Sequence, residues 1–482
     1  MSVLAIDAGT TGVTALVVSE DGRIESRGYE EFAQHFPRPG WVEHAPEEIW
    51  QATLAACRTA LDGSATTPRC VGITNQRETA VLWDRTTLAA PRRAIVWQDR
   101  RSSDVCDRLR AHEPRVSELT GLRLDPYFTG TKLAWLAEND PGSWNAGNLA
   151  IGTVDSYLIA RLTNGRRHVT DPSNASRTLL YDITRGAWSP ELCELFGVPV
   201  KALPELVPNY GDIGRTSPEA FLGLDLPISG VAGDQQAALF GQTCFSPGDV
   251  KCTYGTGSFI LVNTGEEIVR SAAGLLTTVA WQAPSGAMTY ALEGAVFVTG
   301  AAVQWLRDGL GLIQSAAETE AVARTVPDSG GVVFVPALTG LGAPYWDPDA
   351  RGTILGITRG TTRAHLVRAT LEAIAFEVRD IVETMDLPVP VLKADGGASA
   401  NDLLMQLQAD QIGTPVERPV AQETTALGAA FLAGLGAGVW SSQEELRATW
   451  RLDRRFEPAR EDGTASYALW KKAVDRARDW AS

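Results

Sequence analysis

Residues 3–18 read VLAIDAGTTGVTALVV, two apolar runs separated by a short turn of glycine and threonine. Residues 3–6 and 13–18 are each predicted to be a strand, because β-branched and other apolar side chains dominate both. The turn then closes a hairpin whose glycines allow close approach of another group to the backbone. Asp7 stands at its entrance, and the turn contains no lysine or arginine. A phosphate loop of the Walker type instead runs from a strand into a helix and ends in a lysine.

The same plan occurs again half a chain later. Residues 249–265, DVKCTYGTGSFILVNTG, place a strand, a GT-containing turn and a second strand in that order. The repetition predicts two related domains that face each other across a cleft, residues 1–242 and residues 243–482. The turn-rich segment 241–249, GQTCFSPGD, would join them. Coincidence is the alternative, since GTG and GTT are common in turns.

Composition limits the classes of partner and compartment. The 482 residues are 44% apolar, enough for two or more domains with their own cores. A formal charge of −15 argues against nucleic acid or an anionic membrane as a partner. Six cysteines form no close pair and five histidines form no zinc motif, so free thiols in a reducing cytosol are expected. With no signal peptide and no run of membrane-spanning length, a soluble cytoplasmic protein is expected.

Elsewhere, short β-branched runs alternate with amphipathic helical stretches, which is typical of an α/β fold. A helix is predicted over residues 46–61, where Pro46 and two glutamates mark its start. Residues 70–74, CVGIT, are predicted to be a buried strand, and residues 80–83, AVLW, its continuation after a polar interruption. The longest helix is predicted over residues 363–385.

A glycine-rich loop lies late in the chain. Residues 391–416 predict a strand, the loop DGG, a helix and a second strand, with Asn401 as the helix N-cap and Gly413 as its C-terminal stop. Such a loop can lie against a nucleotide, although by itself DGG is more often a plain turn.

The first turn could serve a phosphate. Gly9, Thr10, Thr11 and Gly12 offer backbone N–H groups and hydroxyls, and Asp7 could bind Mg²⁺ through the retained waters of the metal. Metal and amides together would supply the positive field that a lysine supplies elsewhere. A tight hairpin with a capping aspartate is the plainer alternative.

Two polar pairs could bind an acceptor. Arg77 and Glu78 follow an apolar strand in TNQRET, where charged neighbours are usually solvated. Asp234 and Gln235 follow a glycine-rich bend in GVAGDQQAALFG, where the carboxylate is either an N-cap or a functional group. Together the four residues would alternate donors and acceptors, which suits a polyol because each of its hydroxyls both donates and accepts.

Many motifs together resemble one family, the FGGY carbohydrate kinases, and within it the branch that phosphorylates glycerol. They are IDAGTT, PGWVEHAPEEIW, GITNQRET, IVWQDRR, DPYFTGTK, HVTDPSNASRT, ISGVAGDQQAALFGQ, YGTGSF, ALEGAVFVTGAAVQWLRD, PALTGLGAPYWDPDARGTILGITRG and DGGASANDLLMQLQAD. Both family signatures are similar, YFTGTKLAWLAEN from Tyr127 and GTILGITRGTTRAHLVRATLE from Gly352. The resemblance extends from residue 3 to about residue 440.

This resemblance implies a fold of two actin-like domains, each built on a ribonuclease-H-like sheet, with ATP in the cleft. It also implies a reaction in which glycerol and ATP give sn-glycerol 3-phosphate and ADP with Mg²⁺, in a homo-oligomer, a dimer or tetramer. The glycerol-binding positions that it implies are Arg77, Glu78, Tyr127, Asp234 and Gln235, with Trp97 and Phe259 against the carbon backbone. The implied nucleotide contacts are Thr10, Thr11, Gly12, Thr256, Gly300, Gln304, Gly397 and Asn401. Asp7 is the implied metal-facing residue and Asp234 the implied general base.

The chain also departs from the family pattern. Gly12 and Thr14 stand where serine and arginine are common, and Ala8 stands where glutamine is common. The missing arginine leaves one nucleotide contact in doubt. Residues 209–230 lack the Gly-Gly and Arg arrangement that some relatives use for fructose 1,6-bisphosphate, and the histidine that is phosphorylated in others.

Three alternatives stay open at the level of sequence. The chain could phosphorylate another small polyol or a ketose such as a pentulose. It could be an actin-like or chaperone-type ATPase that transfers nothing to a small molecule, in which case Asp234 would be dispensable. It could also be a degenerate paralogue that binds its substrates without phosphorylating them, a reading that Thr14 motivates.

Overall fold

The computed structural model describes residues 1–145, 147–459 and 464–481. Its strands are β1 (Ser2–Ala8), β2 (Gly12–Ser19), β3 (Ile24–Glu31), β4 (Glu43–His44), β5 (Pro68–Asn75), β6 (Val81–Asp84), β7 (Ala94–Ile95), β8 (Leu149–Gly152), β9 (Val169–Thr170), β10 (Tyr181–Asp182), β11 (Ala187–Trp188), β12 (Glu205–Leu206), β13 (Tyr210–Arg215), β14 (Pro227–Gly233), β15 (Val250–Tyr254), β16 (Ser258–Gly265), β17 (Leu276–Gln282), β18 (Met288–Val296), β19 (Val333–Val335), β20 (Thr353–Leu355), β21 (Leu392–Asp395), β22 (Val416–Pro419) and β23 (Leu452–Phe456).

The helices alternate with these strands, as the α/β pattern predicts. They are α1 (Pro46–Asp62), α2 (Ser103–Leu109), α3 (Glu113–Thr120), α4 (Thr129–Asn139), α5 (Pro141–Trp144), α6 (Val154–Leu162), α7 (Pro172–Ala175), α8 (Pro190–Leu195), α9 (Asp234–Gly241), α10 (Gly300–Gln304), α11 (Glu318–Ala323), α12 (Arg363–Thr384), α13 (Asp402–Ile412), α14 (Thr424–Gly436), α15 (Gln443–Arg447) and α16 (Thr464–Ala477).

The first hairpin lies at the centre of a mixed sheet, which we call the first sheet. Within the described residues its strand order is β13-β14-β5-β1-β2-β3. Strands β1, β2 and β3 pair antiparallel, whereas β1, β5 and β14 pair parallel. The predicted strands at residues 3–6 and 13–18 are confirmed, and in this hairpin Asp7 lies opposite Thr14.

A second sheet repeats this plan. Its order among the described residues is β17-β18-β16-β15-β21-β22-β23. Strands β15, β16 and β18 pair antiparallel, whereas β15, β21 and β22 pair parallel. The hairpin β15–β16 therefore holds the place of β1–β2, and Thr253 lies opposite Phe259 where the first hairpin has Asp7 opposite Thr14. The predicted repetition of the strand, turn and strand plan is confirmed.

Both faces of the central strands β1 and β2 of the first sheet are buried, which explains their unbroken apolar sequences. Along β1, Leu4 and Ile6 belong to the core that contains Ile49 of α1. Val3 and Ala5 point the other way, into the core formed with α9 and α14. Because α14 lies between β22 and β23 of the second sheet in the chain and yet packs on the first sheet, the two halves share a core.

Small residues let α9 and α14 cross closely. A Cβ on Gly428 of α14 would lie 1.8 Å from the carbonyl oxygen of Ala237, and one on Gly241 of α9 would lie 2.0 Å from that of Thr424. Neither distance is compatible with a side chain, so glycine is required where the helices cross. This crossing holds α9 of the first half against α14 of the second half.

One strand prediction is wrong. Residues 80–83 do not continue the strand at residues 70–74, because β6 pairs with β8 in a separate two-stranded sheet. The chain changes direction between β5 and β6, where Glu78 adopts a left-handed conformation with φ 61°. The other local predictions are confirmed: α1, α12, and the strand, loop, helix and strand of residues 391–416.

The remaining predictions concern termini, thiols and membranes. Asn401 caps α13 by accepting the N–H of Leu404, and Gly413 ends that helix in the left-handed conformation. All six cysteines are buried and free. In the ranges that the structure describes, no helix is both long and apolar enough to cross a membrane.

Candidate active site

A cavity of about 150 Å³ lies between the two halves of the chain. All seven residues predicted to bind the acceptor line it: Arg77, Glu78, Trp97, Tyr127, Asp234, Gln235 and Phe259. The other lining residues are Thr10 of the first hairpin and Thr253, Gly255, Thr256 and Gly257 of the second. We call this space the small cavity; it is built by both sheets.

The topology of the first sheet brings the two predicted polar pairs together. Strands β5 and β14 are parallel neighbours, and their last residues, Asn75 and Gly233, are paired. The residues that follow both strands therefore emerge at the same edge of the sheet. A Cβ on Gly233 would lie 2.7 Å from the Cδ of Arg77, so glycine leaves room for the arginine to cross toward Asp234.

Arg77 and Glu78 are not solvated, contrary to the usual behaviour of charges at a strand end. Both are almost fully buried, with 2% and 1% exposure. Arg77 donates from Nη1 and Nη2 to both carboxylate oxygens of Glu293, at 2.6 and 3.0 Å. Arg177 bridges the two acids, with Nε 2.7 Å from Glu78 Oε1 and Nη2 2.9 Å from Glu293 Oε1. The four charges form one buried network.

The network acts differently on its two carboxyls. Burial alone would raise the pKa of Glu293, but Arg177 and Arg77 lower it to about 2. For Glu78 burial prevails over the same two arginines, and its pKa is raised above the ordinary value. Glu293 is therefore the fixed negative charge that holds both arginines, and Glu78 is the less strongly paired acid that borders the cavity.

Asp234 is the first residue of α9, and the N-cap position belongs to Gly233. The capping role considered from the sequence is therefore wrong. The Oδ1 atom of Asp234 lies 3.1 Å from Nε of Arg77 and accepts the backbone N–H of Gln235 at 2.7 Å. Burial raises the pKa of Asp234, whereas Arg77 and Lys251 lower it. The side chain stays 27% exposed, toward the cavity that it lines.

Aromatic rings form the apolar wall of the small cavity. The ring centroid of Trp97 lies 5.7 Å from that of Tyr127 and 6.5 Å from that of Phe259. The indole N–H of Trp97 donates to Thr10 Oγ1 at 3.0 Å. This hydrogen bond ties the wall to the first hairpin.

A second, larger cavity of about 540 Å³ adjoins the first, and we call it the large cavity. It is bordered by the second hairpin, α10, α11 and the glycine-rich loop of residues 396–401. Gly255 and Thr256 line both cavities, so the tip of the second hairpin is where the two meet. A molecule in the large cavity could therefore present one end to a molecule in the small one.

Asp7 lies in the first hairpin without a hydrogen-bond partner on its carboxylate among the described residues. Burial, together with the nearby Asp234 and Glu423, raises the pKa of Asp7 to about 8. This concentration of negative charge fits a cation. No group of three or more His, Cys, Asp or Glu in the described ranges could hold a metal ion, so the chain would supply few ligands.

Comparison with known proteins decides the family. The model of the FGGY family of carbohydrate kinases, N-terminal domain, matches residues 2–241, and that of the C-terminal domain matches residues 250–437. The chain belongs to the FGGY family of carbohydrate kinases.

Individual relatives are similar over the whole length. Glycerol kinase 2 of Thermotoga maritima is 52% identical and aligned over 99% of both chains. Glycerol kinase of Aromatoleum aromaticum is 54% identical over 100% of this chain and 99% of its own. The structure of Plasmodium falciparum glycerol kinase with ADP is 36% identical, covers 99% of this chain and 98% of its own, and superposes with a TM-score of 0.90. The predicted resemblance and the predicted two-domain α/β fold are confirmed.

In this FGGY kinase, the residues predicted to bind a nucleotide are not all in one place. Five of them line the large cavity: Thr256, Gly300, Gln304, Gly397 and Asn401. Thr10 lines the small cavity, whereas Thr11 and Gly12 line neither. Thr11 is exposed at the hairpin tip. A Cβ on Gly12 would lie 2.6 Å from the carbonyl oxygen of Glu30, so this glycine serves the packing of β2 on β3.

Three charged residues of the site had no role assigned from the sequence: Arg177, Lys251 and Glu293. Lys251 and Glu293 are fully buried on β15 and β18, and their signal was a lone charge within an apolar strand, in VKCTY and YALEGAV. Arg177 lay unassigned inside the motif HVTDPSNASRT. None of the three lines the small cavity; each forms a hydrogen bond to a residue that does.

Proposed function

We propose that this chain is a glycerol kinase, which transfers the γ-phosphoryl group of ATP to glycerol and releases sn-glycerol 3-phosphate and ADP. One observation carries the proposal. A small cavity with a carboxylate, Asp234, adjoins a large cavity at the tip of the second hairpin. The names of the similar proteins, which are glycerol kinases, support the choice of substrate.

The polar groups of the small cavity suit a polyol. Glu78 Oε1 is occupied by Arg177, which leaves Oε2 to accept from a substrate hydroxyl. Nη2 of Arg77 donates one of its two N–H groups to Glu293, which leaves the other for a hydroxyl oxygen. Trp97 and Phe259 would cover the C–H face of the substrate. The modest volume favours a small polyol over a longer sugar.

Asp234 is the proposed general base. The terminal hydroxyl oxygen of glycerol attacks the γ-phosphorus of ATP, and its proton passes to Asp234. The bond between that phosphorus and the β–γ bridging oxygen breaks, and ADP leaves with the electron pair. An alkyl hydroxyl is a poor nucleophile at neutral pH, so a positioned base is worth about 10²–10⁴ in rate. Alignment of the two substrates supplies much of the remainder.

The nucleotide and Mg²⁺ are assigned to separate residues. The five predicted contacts that line the large cavity would hold the nucleotide, and the backbone N–H groups of both hairpins would face its phosphates. Asp7 would hold Mg²⁺, which keeps several waters and is otherwise bound by phosphate oxygens. The metal would neutralise charge on the transferring phosphoryl group.

Three further expectations belong to this proposal. We divide the chain at residues 242 and 243, in support of which each half contains one of the two related sheets. We propose a cytoplasmic location, supported by six thiols that are all free and buried. A homo-oligomer is proposed from the family resemblance.

A substrate panel tests the function. Release of ADP would be measured with glycerol, dihydroxyacetone, erythritol and pentuloses, and kcat/KM is expected to be highest with glycerol. A clearly higher kcat/KM with a ketopentose would mean that the ketopentose, and not glycerol, is the substrate. ATP hydrolysis that is indifferent to all four would favour the ATPase. The variant Asp234→Asn should lose about 10²–10⁴ in kcat, and near-full turnover would remove Asp234 as the base.

A further inference from the structure

Lys251 is a buried lysine that the proposed mechanism does not use. It lies on β15 of the second sheet, four residues before Gly255 at the hairpin tip, and is 0% exposed. Its Nζ donates to the side-chain oxygen of Gln235 at 2.5 Å and to Thr253 Oγ1 at 2.9 Å. Gln235 belongs to α9 of the first half, so this contact joins the two halves beneath the small cavity.

We propose that Lys251 is a positioning residue for the acceptor, which it serves by fixing the side-chain amide of Gln235. This inference rests on the proposed function, because it assigns Gln235 to polyol binding.

The chemistry of the two groups determines which way the amide points. An ammonium group has three donors and no acceptor, so only the oxygen of the Gln235 amide can face it. The NH₂ group then faces away from Lys251, toward the small cavity that Gln235 lines. Glu78 and Asp234 contribute acceptors there, and Gln235 adds a donor for a substrate oxygen. A reversed amide would present an acceptor instead and leave that oxygen without a partner.

Lys251 also belongs to the charge balance of the general base. The charged groups that face Asp234 come from four elements: Arg77 after β5, Lys251 on β15, Glu293 on β18 and Asp7 on β1. Of these, Arg77 and Lys251 lower the pKa of Asp234, against its burial. Lys251 is itself faced by Asp395, Glu293 and Arg77, and burial lowers its own pKa. Loss of the lysine should therefore raise the pKa of Asp234.

Lys393 provides a matched control. It lies on β21 directly opposite Lys251 in the second sheet. The Nζ atom of Lys393 donates to the carbonyl oxygen of Gln242 at 2.7 Å, at the C-terminal end of α9. Both lysines therefore hold α9 to the second sheet, but only Lys251 does so at the small cavity.

The test compares Lys251→Met with Lys393→Met in the full-length enzyme. Lys251→Met should raise KM for glycerol by about 10-fold or more, the usual value of a hydrogen bond to a charged group, with a smaller change in KM for ATP. The acidic limb of its kcat/KM profile should move to higher pH by at least about 0.5 unit. Lys393→Met should change neither quantity, whatever its effect on the thermal midpoint.

A second variant keeps the test decisive if Lys251→Met does not fold. Gln235→Glu retains an oxygen for Lys251 but removes the NH₂ donor, so KM for glycerol should rise by a similar factor without a loss of thermal stability. In the double variant Lys251→Met/Gln235→Ala, KM should be no higher than in Gln235→Ala alone, since Lys251 acts through the glutamine.

Failure of the inference is separable from failure of the proposed function. If the unaltered enzyme does not phosphorylate glycerol, the proposed function is wrong. If it does, a glycerol KM within twofold of the unaltered value in Lys251→Met and an unmoved pH profile would overturn the role of Lys251. Equal rises of KM in Lys251→Met and Lys393→Met would overturn it too, because both lysines would then act only through the stability of α9.

Discussion

The two hairpins are built alike and used differently. In the first, the N–H of Gly9 donates to the carbonyl oxygen of Gly12, and in the second that of Gly255 donates to Gly257. Each hairpin is followed across the sheet by a third antiparallel strand, β3 or β18. The backbone plan was thus kept in both halves of the chain.

The difference lies in one pair of facing residues. Asp7 faces Thr14 in the first hairpin, and Thr253 faces Phe259 at the corresponding place in the second. The first hairpin therefore contributes a carboxylate suited to a cation, whereas the second contributes a hydroxyl and an aromatic wall to the small cavity. The proposed roles of the two hairpins therefore differ at two side-chain positions, while the backbone N–H groups of both would face the phosphates.

The strands that follow each hairpin across the sheet, β18 and β3, each carry a carboxylate. Replacing these two carboxylates should give the largest difference in the free energy of unfolding. Glu293 on β18 reaches across to Arg77 and Arg177 of the first half, whereas Glu30 on β3 is exposed. Glu293→Gln leaves two buried guanidinium groups short of a charge, which should lower the free energy of unfolding by about 3–5 kcal/mol. Glu30→Gln, the matched control, should change it by less than about 0.5 kcal/mol. Urea denaturation at pH 7 measures both.

The pH dependence gives this prediction a sign. The folded-state pKa of Glu293 is about 2, below its ordinary value of 4.5. Its contribution is therefore complete above pH 4.5 and is lost as pH falls from 4.5 toward 2. The unaltered protein should lose stability over that window more steeply than Glu293→Gln. Parallel curves would mean that the two arginines do not depend on this carboxylate.

The facing pairs give the next largest effect. Asp7→Asn removes the charge proposed to hold Mg²⁺, so kcat should fall by at least about 10²-fold and the half-saturating Mg²⁺ concentration should rise. Thr253→Val, at the corresponding place, removes one neutral acceptor from Lys251. It should therefore lower kcat by less than about 10-fold and leave the half-saturating Mg²⁺ concentration unchanged. Equal Mg²⁺ titrations in both variants would show that the two hairpins do not divide their roles in this way.

Much of the fold could be predicted from the sequence, because hairpins and amphipathic helices produce hydrophobic patterns within short stretches of sequence. Strand β6 could not be placed, since the turn before it depends on Glu78. That residue adopts its left-handed conformation while its carboxylate is held by Arg177, 99 positions along the chain. A contact so distant leaves no periodicity in the sequence near residue 80.

The same limit applies to the candidate site. The polar acceptor residues, Arg77 with Glu78 and Asp234 with Gln235, stand as pairs in short polar motifs, whereas Trp97, Tyr127 and Phe259 are indicated only by the family resemblance. All seven meet in the small cavity. Glu293 and Lys251 are single charges in apolar strands of the other half. Their partners, Arg77 and Gln235, are known only once α9 and α14 bring the two halves together. A sequence pattern shows which residue types are present, but it does not show which of them pair across the cleft.

The smallest expected effect concerns the last glycine of each hairpin. A Cβ on Gly257 would lie 2.3 Å from the backbone oxygen of Val296, and one on Gly12 would lie 2.6 Å from that of Glu30 and 2.9 Å from the ring of Tyr29. Alanine at either place should lower the free energy of unfolding by about 1–3 kcal/mol. Gly257→Ala should lower it more, because the closest backbone oxygen lies at 2.3 Å there and at 2.6 Å for Gly12.

Activity separates the two glycine variants further. Gly257 lines the small cavity, so a displaced second hairpin should also raise KM for glycerol, whereas Gly12 lines neither cavity. Gly360→Ala serves as the control, since its added Cβ would meet only a side-chain oxygen at 3.8 Å. Thermal unfolding and steady-state kinetics on the three variants measure both effects. A glycerol KM raised equally by Gly12→Ala would mean that the hairpins move as one unit, because the aromatic wall is tied to the first hairpin through Thr10.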